Sequence, residues 1–505
     1  MRVASIRMNK LPSPGVSIAK HRLIVVAAIL VCLVASPSLG AERPASPDGK
    51  PNVLIFLIDD LGRSDVGVDG ATFHETPHLD ALARSGVRFT DFYSAHPVCS
   101  PTRAALMTGK VPQRVGITDW IPHRSRVAIP AAETTLGEAF QSQGYQTAYL
   151  GKWHLGEADA DQPTRHGFEW IKGVNRAGQP ASYYHPFKLP ADKPTVWNVP
   201  DFEDGKAGDY LTDVLTTGAI EFLKQRDARR PFFMCFGHYA IHTPIEPPAN
   251  LPKKYRAKRA SLYDDTATPA LPAPFDACSR GRQDDVDYAA MMENLDDNIG
   301  RVLAALDDLH LRENTIVVFT SDNGGLCTLG QPKPAPGKAA GKPRVGPTCN
   351  LPWRSGKGWN YEGGIRISTF VSWPGTLQPS TTDVPGFTAD LYPTLLELCG
   401  LPLLPEQHVD GRSLVGALRG TADPALRDRM LAWYYPHDHG SGHRASAALR
   451  RGSWKLIHYL ASGKTELYDL ATDPGESKDL SAAHPDKTES LRAELLRWIA
   501  ETKRT

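Results

Sequence analysis

Asn52-Val53-Leu54-Ile55-Phe56-Leu57-Ile58-Asp59-Asp60-Leu61-Gly62 is the stretch that decides the fold class. An unbroken apolar run of this length is what a strand carries when both of its faces are covered; a strand with one wet face alternates instead. The run stops abruptly at two carboxylates. Strands covered on both sides belong to chains that alternate strand and helix, and the sequence downstream does so. Thr76-Pro77 opens a helix with Leu79 and Leu82 inward, closed by Gly86, and residues 87–93 read as a strand. Thr135 and Glu138 form a capping box for a short helix ending near Gly144, and residues 145–150 make the next strand, running into Gly151-Lys152-Trp153-His154. A helix over 212–224 precedes Phe232-Phe233-Met234-Cys235-Phe236, which leads to His238 and His242-Thr243-Pro244. A long helix over 286–309 shows Met291, Leu295, Ile299, Val302 and Leu306 on one face, a core stripe. Residues 315–320 form a strand ending in Ser321-Asp322-Asn323-Gly324-Gly325, and 368–373 one more. The class is α/β, with a mostly parallel central sheet flanked by helices. Four of these strands end in polar residues: Asp59/Asp60, Lys152/His154, His238/His242 and Asp322/Asn323. An open parallel sheet binds ligands beyond the carboxyl ends of its strands, so the four sets converge on one edge.

A second stretch supplies chemistry. In Cys99-Ser100-Pro101-Thr102-Arg103, Pro101 suits the first turn of a helix, Ser100 suits its cap, and Gly109 marks its end. Cys99 then sits at the positive end of a helix with Arg103 one turn along, a place where a thiol is activated and an anion is welcome. The plain reading of such a cysteine is a small buried residue. The phosphatase loop does not fit, because its cysteine and arginine stand further apart and position 105 is alanine. Asp59, Asp60, Asp322 and Asn323 offer only hard oxygen donors, a set that favours Ca²⁺ or Mg²⁺ over zinc, and flexible many-oxygen coordination favours calcium.

Cys-x-Pro-x-Arg resembles the type I sulfatase motif. Its companions occur in sulfatase order: Asp-Asp after the first strand, Gly-Lys-Trp-His-Leu-Gly from Gly151, His-Thr-Pro from His242, Ser-Asp-Asn-Gly-Gly from Ser321 and Gly-Lys-Gly from Gly356. Asp390-Leu391-Tyr392-Pro393-Thr394, Asp410-Gly411-Arg412-Ser413 and Glu466-Leu467-Tyr468-Asp469-Leu470 extend the resemblance over about residues 51 to 480. The resemblance implies an alkaline-phosphatase-like catalytic domain over 51–424 and a smaller C-terminal subdomain of antiparallel sheet plus helix over 425–505. Residues 430–434 and 453–458 read as its strands and 491–503 as its helix. It implies that Cys99 is converted by a formylglycine-generating maturation enzyme to Cα-formylglycine (3-oxoalanine), whose hydrate attacks sulfur and whose second hydroxyl later expels sulfate. On the same basis Asp59, Asp60, Asp322, Asn323 and residue 99 hold Ca²⁺, with Mg²⁺ second. Arg103 and His154 orient the hydrate, Lys152 and Lys357 neutralise sulfate oxygens, and His242 is the general acid.

Composition bounds the partners. The chain has 505 residues, 41% of them hydrophobic, and a formal net charge of +1, so bulk charge recruits neither nucleic acid nor an acidic polymer. Basic residues from Arg2 to Arg22, an apolar run from Leu23 to Ala35 and small residues around Gly40 read as a signal peptide over 1–41, followed by a linker over 42–50. The expectation is an exported protein, periplasmic or secreted, without stable membrane insertion. Cys327 and Cys349 flank a Pro/Lys/Gly-rich insertion over 326–350 and leave a disulfide open. His238, Asn175, Arg176, Tyr184 and His185, together with His437, His439, His443 and Arg444, are candidate substrate contacts, because aromatic, imidazole and guanidinium groups suit sugar rings and hydroxyls. The expected substrate is therefore a sulfated sugar. A phosphonate or phosphodiester hydrolase on the same scaffold, and a catalytically silent glycan-binding protein, are the alternatives.

Overall fold

The computed structural model describes residues 49–264, 267–333, 341–421 and 423–503. The expected signal peptide over 1–41, nearly all of the expected 42–50 linker and the centre of the 326–350 insertion lie outside the described residues. Among the described residues no helix is long and apolar enough to cross a membrane.

Eight strands form the central sheet: β1 (Asn52–Ile58), β2 (Val87–Phe89), β3 (Gln146–Gly151), β4 (Trp170–Lys172), β5 (Phe232–Gly237), β6 (Thr315–Ser321), β7 (Thr369–Ser372) and β8 (Ser380–Thr382). Their order is β8-β2-β7-β6-β1-β5-β3-β4. Only β7 runs against its neighbours; every other pairing is parallel. The apolar run that decides the class is explained by its place in the middle. Val53, Ile55 and Leu57 enter the core on one face, and Leu54, Phe56 and Ile58 enter the core on the other. On the second face lie α1 (Pro77–Arg84), α4 (Leu211–Gln225) and α5 (Val286–Asp308), the last through Met291, Leu295, Ile299, Val302 and Leu306 as its spacing requires. On the first face lie α2 (Cys99–Thr108) and α3 (Leu136–Ser142), the latter started by the Thr135/Glu138 capping box.

One sequence expectation is corrected, and one question the sequence left open is closed. Residues 87–93 are not one strand: Val87–Phe89 stays in the central sheet while Phe92–Tyr93 pairs with Gly386–Phe387. Between them Asp91 turns aside to meet Arg366 and Arg450. The thiols of Cys327 and Cys349 are free, so the open disulfide does not form. Cys327 Sγ instead donates to Ser355 O at 3.0 Å.

The C-terminal sheet is an antiparallel meander of β9 (Met430–Tyr435), β10 (Ser446–Arg451), β11 (Trp454–Tyr459) and β12 (Thr465–Asp469). One face takes α6 (Pro485–Thr502) through Leu491 and Leu495. This helix begins six residues before the expected 491, with Pro485 in its first turn. The other face packs Trp433, Ala448 and Ile457 against Tyr93, Trp359 and Tyr361.

At that junction Lys455 Nζ lies 2.9 Å from Glu362 Oε1 and 2.8 Å from Glu476 Oε1, all three side chains fully buried. One ammonium cannot hold two carboxylates charged. Burial, only partly offset by Lys455, pushes Glu476 up to about 7, while Lys455, Arg366 and Arg450 overcome burial and take Glu362 down to about 2. A raised carboxylate stabilises the fold fully below its ordinary value of 4.5 and loses that contribution as pH rises through about 7. Glu476→Gln is therefore expected to gain about 3 kcal/mol relative to the parent between pH 4.5 and 7.5. Urea midpoints at the two pH values check it, and a constant difference between them would contradict the shared-proton arrangement.

Candidate active site

The strands β6, β1, β5 and β3 are consecutive in the sheet, and their ends are level: Ile58 pairs with Ser321, and Gly237 with both Leu57 and Gly151. The next residue or two of each strand therefore emerges at the same edge. Asp59 and Asp60 follow β1, Asp322 and Asn323 follow β6, and Lys152 follows β3. All five are at most 2% exposed.

Helix α2 presents Cys99 as its first residue, with Val98 as the extended cap. Ser100 is not the cap the sequence suggested. Its Oγ accepts from Ile121 N at 3.2 Å, and Pro101 stands third in the helix, where its missing N–H is still not needed. Arg103, one turn on, donates from Nε to Asp322 Oδ2 at 2.8 Å and from Nη1 to Lys152 O at 2.6 Å. Lys152 Nζ donates to Asp59 Oδ2 at 2.6 Å, and Lys357 Nζ to Asp60 Oδ2 at 2.8 Å. Asn323 Nδ2 donates to Asp60 Oδ1 at 2.8 Å.

Three carboxylates (Asp59, Asp60, Asp322) thus face three cations (Arg103, Lys152, Lys357). Burial acts to raise Asp60, yet Lys357, His242, Lys152 and the Asn323 amide hold it well below the usual carboxylate range. At Asp59 burial, reinforced by Asp322 and Asp60, outweighs Lys152 and pushes the carboxyl well up. Asp59 Oδ1 and Asn323 Oδ1 are buried acceptors without a hydrogen-bond partner. Leaving such atoms unmet is costly, and their chemistry, with Asp60 and Asp322 beside them, fits a hard divalent cation. Asp59, Asp60 and His242 place their ligand atoms within reach of a common centre.

The imidazoles are held in definite tautomers. His154 Nε2 donates to Ile121 O at 2.9 Å, because a carbonyl can only accept, so its bare Nδ1 faces Cys99 Sγ at 3.3 Å. Burial, with Lys152 beside it, pushes His154 well below the ordinary histidine value. His242 Nδ1 donates to Thr243 O at 2.8 Å, leaving Nε2 bare and 3.7 Å from Asp60 Oδ2. Burial and Lys357 take His242 down to about 3. Asp60, His154 and Ser355 adopt φ of 60°, 56° and 56°, left-handed backbone that non-glycine residues avoid unless the surroundings impose it.

Cys99, His154, His242 and Lys357 line a cavity of about 650 Å³. Of the expected substrate contacts, Arg176 and His439 are on its wall. The other seven are elsewhere. His238 stacks on Phe236 at 3.8 Å and His185 packs edge-on to Phe187. Asn175 Nδ2 is spent on Gln179 O and Trp197 O, and Tyr184 Oη on Pro247 O. His437 is exposed with Nε2 3.1 Å from Thr118 Oγ1, His443 stacks on Tyr435 at 5.0 Å, and exposed Arg444 pairs with Asp438 at 2.9 Å. In each case aromatic packing or a local hydrogen bond has claimed the group. Trp120, Gln179, Trp197, Leu326 and Leu329 line the cavity without having been foreseen. They sit in loops, one 3-10 turn and one three-residue strand with no motif, and tryptophans near prolines were the one available signal.

Residues 51–401 match the family model described as Sulfatase, and residues 354–505 match N-sulphoglucosamine sulphohydrolase, C-terminal. The N-acetylgalactosamine-6-sulfatase of Homo sapiens is 31% identical over 503 residues, covering 90% of this chain and 85% of that protein. The arylsulfatase A of Homo sapiens is 31% identical over 497 residues, covering 91% and 89%. Among solved structures, Ps i-CgsB superposes with a TM-score of 0.73 at 28% identity over 89% of this chain and 92% of its own. It has also been solved in complex with k-i-k-neocarrahexaose.

Proposed function

Because this chain belongs to the sulfatase family, we propose that it removes sulfate from a sulfated carbohydrate, using residue 99 as formylglycine and a bound calcium ion. The observation that carries the reading is the contact at the cavity floor, where Cys99 Sγ meets the bare Nδ1 of His154 beside the carboxylate cluster. A hydrated aldehyde at residue 99 supplies an oxygen nucleophile and a second hydroxyl for releasing the product. Asp59, Asp60, Asp322, Asn323 and an oxygen of residue 99 would hold the cation, with Mg²⁺ second, and it would supply Lewis-acid polarisation of the sulfate. Three cations already face the three carboxyl groups, so a divalent ion adds positive charge for an anionic substrate to meet.

The chain's own residues divide the remaining work. His154 Nδ1 accepts the proton of the residue-99 hydroxyl, its neutral form kept by burial and its orientation by Ile121 O. Arg103 holds Asp322 and the Lys152 carbonyl in place, and with His154 orients residue 99. Lys357 and Lys152 turn part of their charge from Asp60 and Asp59 to the sulfate oxygens. With the sulfate anion bound beside it, His242 Nε2 takes a proton from solvent and gives it to the leaving oxygen, returning to the neutral ring. Because Cys99 is buried, its maturation enzyme acts before the chain closes around it. Residues 1–41 export the protein, to periplasm or medium. Residues 51–424 are the catalytic domain and 425–505 the subdomain that closes one side of the cavity through His439.

The carbohydrate is supported by the relatives' names and by the tryptophans of the cavity wall, which suit sugar ring faces. Mass spectrometry of the tryptic peptide with residue 99 is expected to find the aldehyde, and sulfate release is expected to be faster from sulfated mono- or oligosaccharides than from simple aryl sulfates. An unmodified thiol in active protein overturns the nucleophile. Faster turnover of a matched phosphonate or phosphodiester overturns the substrate class.

A further inference from the structure

The cavity has a wall that belongs to the C-terminal sheet, built from the loop between β9 and β10, and it carries an imidazole of its own. His439, Gly440 and Ser441 of that loop line the same space as Cys99, His154 and Lys357. The backbone N–H of Ser441 donates to His439 Nδ1 at 3.2 Å, and the Ser441 hydroxyl lies 2.9 Å from the same nitrogen. A backbone N–H cannot accept, so Nδ1 carries a lone pair and the proton of the neutral ring is on Nε2. His154 and His242 each face residue 99 or Asp60 with a bare nitrogen; His439 is set the other way.

The seat for this ring is built into the neighbouring motif. Gly358, next to Lys357, has φ of 83°, and a Cβ there would collide with His439 Nδ1 and Ser441 Oγ. Two separate demands, positive φ and close approach, thus call for glycine at 358. With the Nδ1 edge packed on Gly358 and Ser441, the Nε2 edge is the one left for the cavity. No side-chain or backbone acceptor among the described residues takes its proton. The loop is anchored from the other side as well: Tyr435 Oη donates to Asp119 Oδ1 at 2.9 Å and His437 Nε2 meets Thr118 Oγ1 at 3.1 Å. These ties join His439 to the segment that bears Trp120, which lies on the cavity wall and is 44% exposed.

We propose that His439 determines specificity for the alcohol part of the substrate, donating its Nε2–H to a hydroxyl or ring oxygen of the sugar that bears the sulfate. The proposal rests on the carbohydrate reading above. It separates two substrate kinds by chemistry: a pyranose offers a hydroxyl or ring oxygen beside the ester, whereas the ring of 4-nitrophenyl sulfate has only C–H groups there, its nitro oxygens lying at the far end.

The test compares kcat/KM on a sulfated monosaccharide that the parent enzyme turns over with kcat/KM on 4-nitrophenyl sulfate. His439→Leu is expected to lower the sugar-to-aryl ratio about tenfold, the loss of one well-placed hydrogen bond, with the change mainly in the sugar's KM. His439→Gln, whose amide N–H reaches near the Nε2 position, is expected to recover much of that ratio. Equal fractional losses on both substrates, or no loss on either, overturn the proposal, as does a ratio that glutamine leaves at the leucine value. Nitrogen NMR of the histidine rings, with His439 assigned from the glutamine variant, is expected to show the Nε2–H tautomer; an Nδ1–H ring overturns the proposal whatever the enzyme hydrolyses. A parent enzyme that turns over the aryl sulfate and no sugar overturns the carbohydrate reading together with this one. An unchanged ratio on a sugar that is turned over overturns this one alone.

Discussion

Cys99→Ala is expected to remove sulfate-ester hydrolysis, lowering kcat by about 10⁴-fold or more, as deletion of a nucleophile does elsewhere, while the protein still folds. The expectation follows from position. Cys99 is the first residue of α2 and 2% exposed, and its Sγ has His154 Nδ1 as its polar neighbour at 3.3 Å. Removing the sulfur deletes one small buried atom and no hydrogen bond on which the helix depends. Cys99→Ser separates attack from release. Its hydroxyl can give a proton to His154 Nδ1, so attack on sulfur is possible, but a serine has no second hydroxyl with which to expel the product. On 4-nitrophenyl sulfate the serine variant is expected to release at most one equivalent of nitrophenol and to gain the mass of one sulfo group. Continued turnover by the alanine variant would remove residue 99 from the chemistry. Continued turnover by the serine variant would remove the need for an aldehyde.

What was readable from the sequence divides along physical lines. The run from Val53 to Ile58 announced its own burial on both faces, because nothing else accounts for six apolar residues without alternation. The residues after it, and those after three other strands, were readable because a parallel sheet brings strand ends together whatever their separation in the chain; Asp60 and Asp322, 262 residues apart and joined by the Asp60 N–H···Asp322 Oδ1 bond, follow adjacent strands. The cavity wall was not readable. Whether an imidazole points into a cavity or stacks on a neighbour depends on which aromatic ring arrives from elsewhere. His443 finds Tyr435 and His238 finds Phe236, while His439, two residues from Ser441, is turned by a backbone N–H that no spacing rule reveals. Short edge strands such as β4 and β8 escaped for a similar reason: three residues carry too little periodicity to stand out.

Arg103→Met tests the charge balance itself and carries the largest expected effect on stability. Arg103 is 1% exposed, and methionine replaces most of its stem, so the change is chiefly electrostatic. Burial acts against the guanidinium, yet Asp322 and Asp59 hold it charged well beyond the usual arginine range. Without it Asp322 Oδ2 loses its donor at 2.8 Å, and three buried carboxylates face two ammonium groups. Removing one partner of a buried pair costs about 3–5 kcal/mol, since the remaining charge has neither water nor counter-charge. The urea midpoint of the chelator-treated variant is expected to fall accordingly. Added calcium is expected to restore more of the stability lost than it adds to the parent, because a divalent ion replaces the missing positive charge among the same carboxylates. Turnover is not expected to return with it, since the bond to the Lys152 carbonyl and the orientation of residue 99 are lost as well. Arg103→Lys keeps the charge without the fork and is expected to fall between the two. A midpoint that chelation and calcium move equally in parent and variant would show that Arg103 and the cation do not share those carboxylates, and the electrostatic account of the site would fail with it.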